Sequence, residues 1–180
     1  MFAPQKGSAG AITNAVVLGI DPGLTRCGYA LVHPGTPPTL LTMGVLTSPA
    51  SDELPSRLAH IQADLVALFD EFSPTAVAVE RVFFQHNTRT AMSVGQVSGV
   101  VLALAAARGC RVVQYTPTQV KSAVAGFGAA DKAEMQRMVQ LRFGLRTLPT
   151  PADAADAAAL ALCHIATEPF TRSVAGAMAQ

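Results

Sequence analysis

Ala15-Val16-Val17-Leu18-Gly19-Ile20-Asp21 decides the fold, because it is an apolar run of strand length that stops on a carboxylate. Runs that are apolar at nearly every position belong to strands covered on both faces, the central strands of α/β sheets. Pro22-Gly23 supplies a tight turn after Asp21, and two further strands are predicted at about Gly28–Val32 and Leu40–Leu46. The same signature returns in Ala76-Val77-Ala78-Val79, which ends on Glu80, and a fifth strand follows at Arg111–Tyr115.

Helical patterns fill the spaces between. Asp52 through Phe72 carries Pro55 in its first turn and one apolar stripe, Leu58, Ile61, Leu65, Leu68 and Phe72, until Ser73-Pro74 stops it. A long helix is predicted from about Thr90 to Arg108, closed by Gly109. A short one starts at Thr116-Pro117 and ends near Gly126. Another covers about Asp131–Phe143 before Gly144, and the last opens at Thr150-Pro151 and runs to about Ala166. Three strands followed by α-β-α-β-α, with no internal repeat, make one α/β domain: a five-stranded mixed sheet with helices on both faces. The domain is expected at residues 15–167, with flexible tails at 1–14 and 168–180.

Four carboxylates fall where elements meet an edge. Asp21 and Glu80 close strands, where α/β sheets place their ligands. Asp153 and Asp156 lie three residues apart at the start of the alanine-rich helix, so they share a face near its positive end. Three have an ordinary reading, a turn aspartate for Asp21, a partner of Arg81 for Glu80, and a helix cap in Thr150-x-x-Asp153 for Asp153, whereas Asp156 is harder to dismiss. Together they would repel one another and stay protonated unless cations sat among them. Oxygen ligands without neighbouring His or Cys favour Mg²⁺ or Mn²⁺, so the set is expected to hold two ions and to cut phosphodiesters. His33, His60 and His86 have no zinc-like spacing, and His164 stands about 12 Å along the helix from Asp156, too far to be a ligand.

With 180 residues, half of them apolar, the chain fills one domain. Cys27, Cys110 and Cys163 are scattered and lack C-x-x-C spacing, as expected of reduced thiols in the cytoplasm. No signal-peptide pattern opens the chain, and the apolar stretch 97–107 is about half a membrane span. The net charge is only +1, yet residues 81–146 hold nine basic side chains against Asp131 and Glu134, a surplus of +7. That excess suits a phosphate-bearing partner, or else a solvated helix surface.

The motifs then converge. Val17-Leu18-Gly19-Ile20-Asp21-Pro22-Gly23-Leu24-Thr25-Arg26-Cys27-Gly28-Tyr29 resembles the opening motif of the RuvC family of Holliday junction resolvases. The likeness continues through Leu54-Pro55-Ser56-Arg57-Leu58, Val79-Glu80-Arg81-Val82-Phe83-Phe84, Gln119-Val120-Lys121 and Ala152-Asp153-Ala154-Ala155-Asp156-Ala157. It spans about residues 15–167, with Arg81 in place of the expected glutamine. The resemblance implies a ribonuclease-H-like fold and a homodimer that nicks four-way DNA junctions in pairs with Mg²⁺ or Mn²⁺. It also implies the RuvA-RuvB branch-migration complex as a partner.

By the same resemblance Phe83 would stack on bases at the crossover, though an aromatic pair such as Phe83-Phe84 could instead cap the core edge. Lys121 and Lys132 resemble lysines near the scissile phosphate, and Arg81 and Arg89 belong with them as candidate DNA contacts. For the dimer, the helix at 90–108 offers Met92, Val97, Val101 and Leu104 as a stripe, with Gly95 and Gly99 allowing close approach; core packing is the alternative use of that stripe. Three other functions compete: an ATP-handling protein of the sugar-kinase and actin kind, which needs a second domain; a junction-binding architectural protein, which leaves four acids facing phosphates; and a resolvase-like nuclease acting on RNA.

Overall fold

The computed structural model describes residues 15–81 and 88–178, the stretches 88–90 and 169–178 as backbone alone. Five strands form one sheet: β1 (Val17–Asp21), β2 (Arg26–His33), β3 (Thr39–Thr47), β4 (Ala76–Glu80) and β5 (Arg111–Tyr115). Their order is β3-β2-β1-β4-β5. The first three pair antiparallel, as consecutive strands joined by short turns do, whereas β4 and β5 run parallel to β1. The two parallel strands arrive through helices, α1 (Leu54–Phe72) and α2 (Thr88–Ala107), which cover one face. Helices α3 (Pro117–Ala125), α4 (Lys132–Phe143) and α5 (Ala152–Met178) cover the other.

Strand alternation sorts the side chains between two cores. Leu18 and Ile20 of β1 with Val77 and Val79 of β4 are fully buried against Ile61, Leu65, Val97 and Val101. Each such aliphatic side chain contributes about 1.5–3 kcal/mol by leaving water. The opposite face of the same strands carries mostly small residues, Gly19, Ala76, Ala78 and, on β2, Gly28 and Ala30, with Val17 and Val32 at its far end. That scarcity of bulk is what lets α5 lie directly on the sheet. A Cβ on Gly19 would stand 2.0 Å from the Ala157 carbonyl oxygen, and one on Gly28 would stand 2.0 Å from that of Asp153.

Two expectations need correction. The last helix continues beyond Ala166, through Pro169 to Met178, where the sequence reading placed a tail. Beyond Pro169 the helix formers Arg172, Ala175, Ala177 and Met178 alternate with the weaker Thr171, Ser173, Val174 and Gly176, and the helix continues through them. The stripe assigned to a dimer contact is also largely core: Val97 and Val101 are completely buried within this chain, and Leu104 packs beside them. The open side of α2 instead presents Met92, Gly95, Gly99 and Ala103.

Candidate active site

Parallel pairing of β1 with β4 sets Ile20 opposite Val79, so the next residues, Asp21 and Glu80, stand side by side at the carboxyl edge. Both point toward α5, two positions on from Gly19 and Ala78. Asp21 is also the antiparallel partner of Gly28, on whose bare α-carbon the Asp153 carbonyl rests. Asp153 in the first turn of α5, and Asp156 one turn later, are therefore delivered to the strand ends by backbone contact. The four acids foreseen from the sequence share one neighbourhood.

Their charges are balanced in two different ways. Burial above all, then the negative charges of Glu80, Asp156 and Asp153, push Asp21 up to about 7. Glu80 is raised too, first by burial, while its hydrogen bond with Asp21 works in the opposite direction. The inner pair is thus pushed toward its neutral forms, Asp21 by burial and its acidic neighbours and Glu80 chiefly by burial. The outer acids have side-chain cations: Arg26 Nε donates to Asp153 Oδ2 at 2.8 Å, and Lys132 Nζ lies 3.3 Å from Asp156 Oδ2. Among the described residues no three His, Cys, Asp or Glu side chains are grouped closely enough to hold a metal ion as they stand. The donor chemistry nevertheless suits hard divalent ions: every ligand atom offered is a carboxylate oxygen, and the charges now on the acids are exchangeable. Arg26 and Lys132 are well exposed, 49% and 65%, so both can swing away.

A cavity of about 230 Å³ opens beside Glu80 and Asp156, with Lys121, Asp131 and Lys132 at its polar side and Val120, Met135 and Leu160 at its apolar side. Of the two lysines singled out from the sequence, Lys132 pairs with Asp156 and Lys121 lines the same cavity. Arg81 is exposed at the same edge, its backbone N–H donating to the Tyr115 carbonyl at 2.8 Å. Phe83 lies outside the described residues, and so does the side chain of Arg89. The basic segment does not form one surface. Arg108 binds Asp70 and Arg111 binds Glu168 at the far end of the sheet, which removes both from any phosphate-facing group. His164 is buried against Tyr115 (Nδ1 to Oη 2.9 Å), a core role in keeping with its distance from the acids. All three cysteines are free, and burial pushes Cys27 up to about 12 and Cys163 up to about 11.

Sequence reasoning missed two features. Arg26 stood in the quoted opening motif, but nothing local ties it to Asp153, 127 residues away. Arg57 stood in Leu54-Pro55-Ser56-Arg57-Leu58, and its Nε and Nη2 reach Ser48 Oγ and Thr25 Oγ1, at 3.0 and 2.8 Å. Gln119 proves to be a helix cap: its side chain and that of Thr116 close a reciprocal capping box on α3, which fixes where Lys121 emerges.

Comparison with known proteins agrees with this geometry. The family model for "Crossover junction endodeoxyribonuclease RuvC" matches residues 17–164. The crossover junction endodeoxyribonuclease RuvC of Salinispora arenicola is 54% identical over 151 residues, covering 83% of this chain and 86% of that protein. That of Streptomyces avermitilis is 48% identical, covering 91% and 94%. Among solved structures, Thermus thermophilus RuvC in complex with a Holliday junction substrate superimposes with a TM-score of 0.82 at 38% identity, over 87% of this chain and 96% of that one. The yeast mitochondrial Holliday junction resolvase Ydc2 shares the fold, with a TM-score of 0.66 at 16% identity over 92% and 83%.

Proposed function

Because this chain belongs to the RuvC family of crossover junction endodeoxyribonucleases, we propose that Asp21, Glu80, Asp153 and Asp156 are its catalytic metal ligands. The protein is an endonuclease that resolves four-way DNA junctions. Our reading is that it does so by paired symmetric nicking as a homodimer, with two Mg²⁺ or Mn²⁺ ions in each site. One observation carries the assignment: parallel pairing sets Asp21 beside Glu80 at the strand ends, and α5, packed on Gly28, begins with Asp153 and Asp156 at the same edge. Folding gains nothing from crowding four acids, so a cationic ligand is the reason to keep them.

Asp21 and Glu80, the most buried pair, would hold the ions from the sheet side, and Asp153 and Asp156 would complete the set from α5 in place of their pairing with Arg26 and Lys132. When bound, the ions supply an activated water and charge stabilisation for the phosphodiester. The remaining residues position DNA. Lys121 and Lys132 flank the acids and meet the scissile phosphate, while Arg81 and Arg89 bind the backbone further out. Phe83, just beyond Glu80 in the chain, stacks on bases that the crossover exposes and a duplex hides. The open side of α2, small and apolar, is our candidate for the two-fold contact. A nuclease domain at 15–167, a cytoplasmic location and cooperation with the RuvA-RuvB branch-migration complex complete the reading. Among the described residues no helix is long and apolar enough to cross a membrane.

The test uses labelled four-way junction, linear duplex and flap DNA with Mg²⁺, Mn²⁺ or EDTA. Cleavage is expected with the junction and a divalent ion only, leaving two symmetric nicks with ligatable 5′-phosphate and 3′-hydroxyl ends. Asp21→Asn, Glu80→Gln, Asp153→Asn and Asp156→Asn should each bind the junction and fail to cut it. Full cleavage by two of the four would remove the ligand assignment.

A further inference from the structure

We propose that Arg57 is a positioning residue for the nuclease reaction, acting through Ser48 and Thr25 on the turn that separates Asp21 from Arg26. Residues 22–25 link the end of β1 to the start of β2, so this turn sets one proposed ligand and the guanidinium that holds another. Pro22 and Gly23 make the turn tight, and a separate element holds its second half. Arg57 does so from the first turn of α1, with two separate donors: Nε to Ser48 Oγ at 3.0 Å and Nη2 to Thr25 Oγ1 at 2.8 Å. Ser48 passes the contact on, because its hydroxyl accepts from Arg57 and donates to the carbonyl of Leu24. Ser48 is 4% exposed, and a hydroxyl so buried needs both bonds satisfied. Two successive turn residues, Leu24 and Thr25, are thereby held by one planar fork whose donors keep a fixed mutual geometry, which a lysine cannot copy.

The position of α1 makes this brace informative. The helix lies on the face of the sheet opposite α5, so Arg57 approaches the turn from behind, away from the carboxylates. It touches none of the four acids; its effect on chemistry must pass through the turn. In the metal-free protein Arg26, at the far end of the same turn, holds Asp153 through its Nε; with ions bound the turn acts through Asp21. A reaction that depends on reacting atoms held within a fraction of an ångström is sensitive to such a support.

The inference rests on the reading of Asp21 as a metal ligand, and the experiment separates the two. Full-length Arg57→Ala, Arg57→Lys, Ser48→Ala and Asp21→Asn would be compared for single-turnover cleavage at saturating enzyme, junction Kd in EDTA, Mn²⁺ binding by electron paramagnetic resonance, and thermal midpoint. Arg57→Ala is expected to cut about tenfold more slowly or worse. Its junction Kd in EDTA should stay within about twofold of wild type, and its Mn²⁺ binding should weaken several-fold. Arg57→Lys should recover part of the rate, and Ser48→Ala combined with Arg57→Ala should be no slower than Arg57→Ala alone. Weakened junction binding with an unchanged single-turnover rate would make Arg57 a DNA contact and overturn the proposal. A lowered thermal midpoint with wild-type rate and Mn²⁺ binding would make it purely structural and overturn it as well. Should Asp21→Asn cut normally, the ligand reading fails; should Asp21→Asn be dead and Arg57→Ala be normal, only the brace fails.

Discussion

Asp21 sits where burial and three neighbouring acids all favour its neutral form, so folding and function pull on it in opposite directions. Its folded value is about 7 against an ordinary 3.8, which means the folded state binds the proton more tightly than the unfolded one. In metal-free protein this contribution to stability is fully present below about pH 4 and is lost as pH rises to about 7. The urea midpoint in EDTA should therefore fall between pH 5 and pH 8, and Asp21→Asn should flatten that slope while raising stability at pH 8. A slope that survives the substitution would mean that other groups carry the proton. The acids were legible one by one, since each closes or opens an element. Of their cationic partners, Lys132 was legible as a basic residue near the site, whereas Arg26 was not, because it meets Asp153 only after the whole sheet has formed between them. The same holds for Arg57, whose motif could be matched while its purpose lay in Ser48 and Thr25.

At the scale of elements, a helix laid on glycines delivers half of the site. Gly28→Ala would drive a methyl group into the Asp153 carbonyl, and Gly19→Ala would do the same at Ala157, so α5 must lift or tilt. Each is expected to cost about 1–3 kcal/mol or somewhat more, as overpacking does. Gly28→Ala, which acts beside the ligands, should lose far more cleavage per kcal/mol than Gly19→Ala; thermal midpoints paired with junction cleavage rates give that ratio. Equal ratios would show that α5 responds as a rigid body. Short apolar runs, most of them bounded by Pro, Gly or a closing carboxylate, made all five strands visible in the sequence. What alternation could not say is which neighbour covers a face. Val97 and Val101 formed a sound apolar stripe, and the sheet of the same chain had the stronger claim on it. Pro169 shows the converse: a local breaker was read as an end, and α5 continues past it to Met178.

For the whole molecule, the question is how one small domain cuts two strands. Charge alone does not answer it, since Arg108 and Arg111 are neutralised by Asp70 and Glu168 away from the site. Two equivalent strands ask for two equivalent sites, and a two-fold pair of chains supplies them most simply. The exposed side of α2 is where such a contact can form without disturbing the fold. Gly95 and Gly99 have open space where a Cβ would stand, and Met92 is 62% exposed beside them. Gly99→Arg should therefore leave the single chain folded, and even favour its helix, since glycine is the poorer helix former. Placed at a two-fold contact, it would bring two unpaired cations together and cost at least about 3 kcal/mol, roughly a hundredfold in the dimer constant. Sedimentation at micromolar concentration should then report a monomer with wild-type helix content, and junctions should be nicked singly, without the coordinated second cut. A Gly99→Arg protein that still sediments as a dimer and still makes paired nicks would move the two-fold contact away from α2.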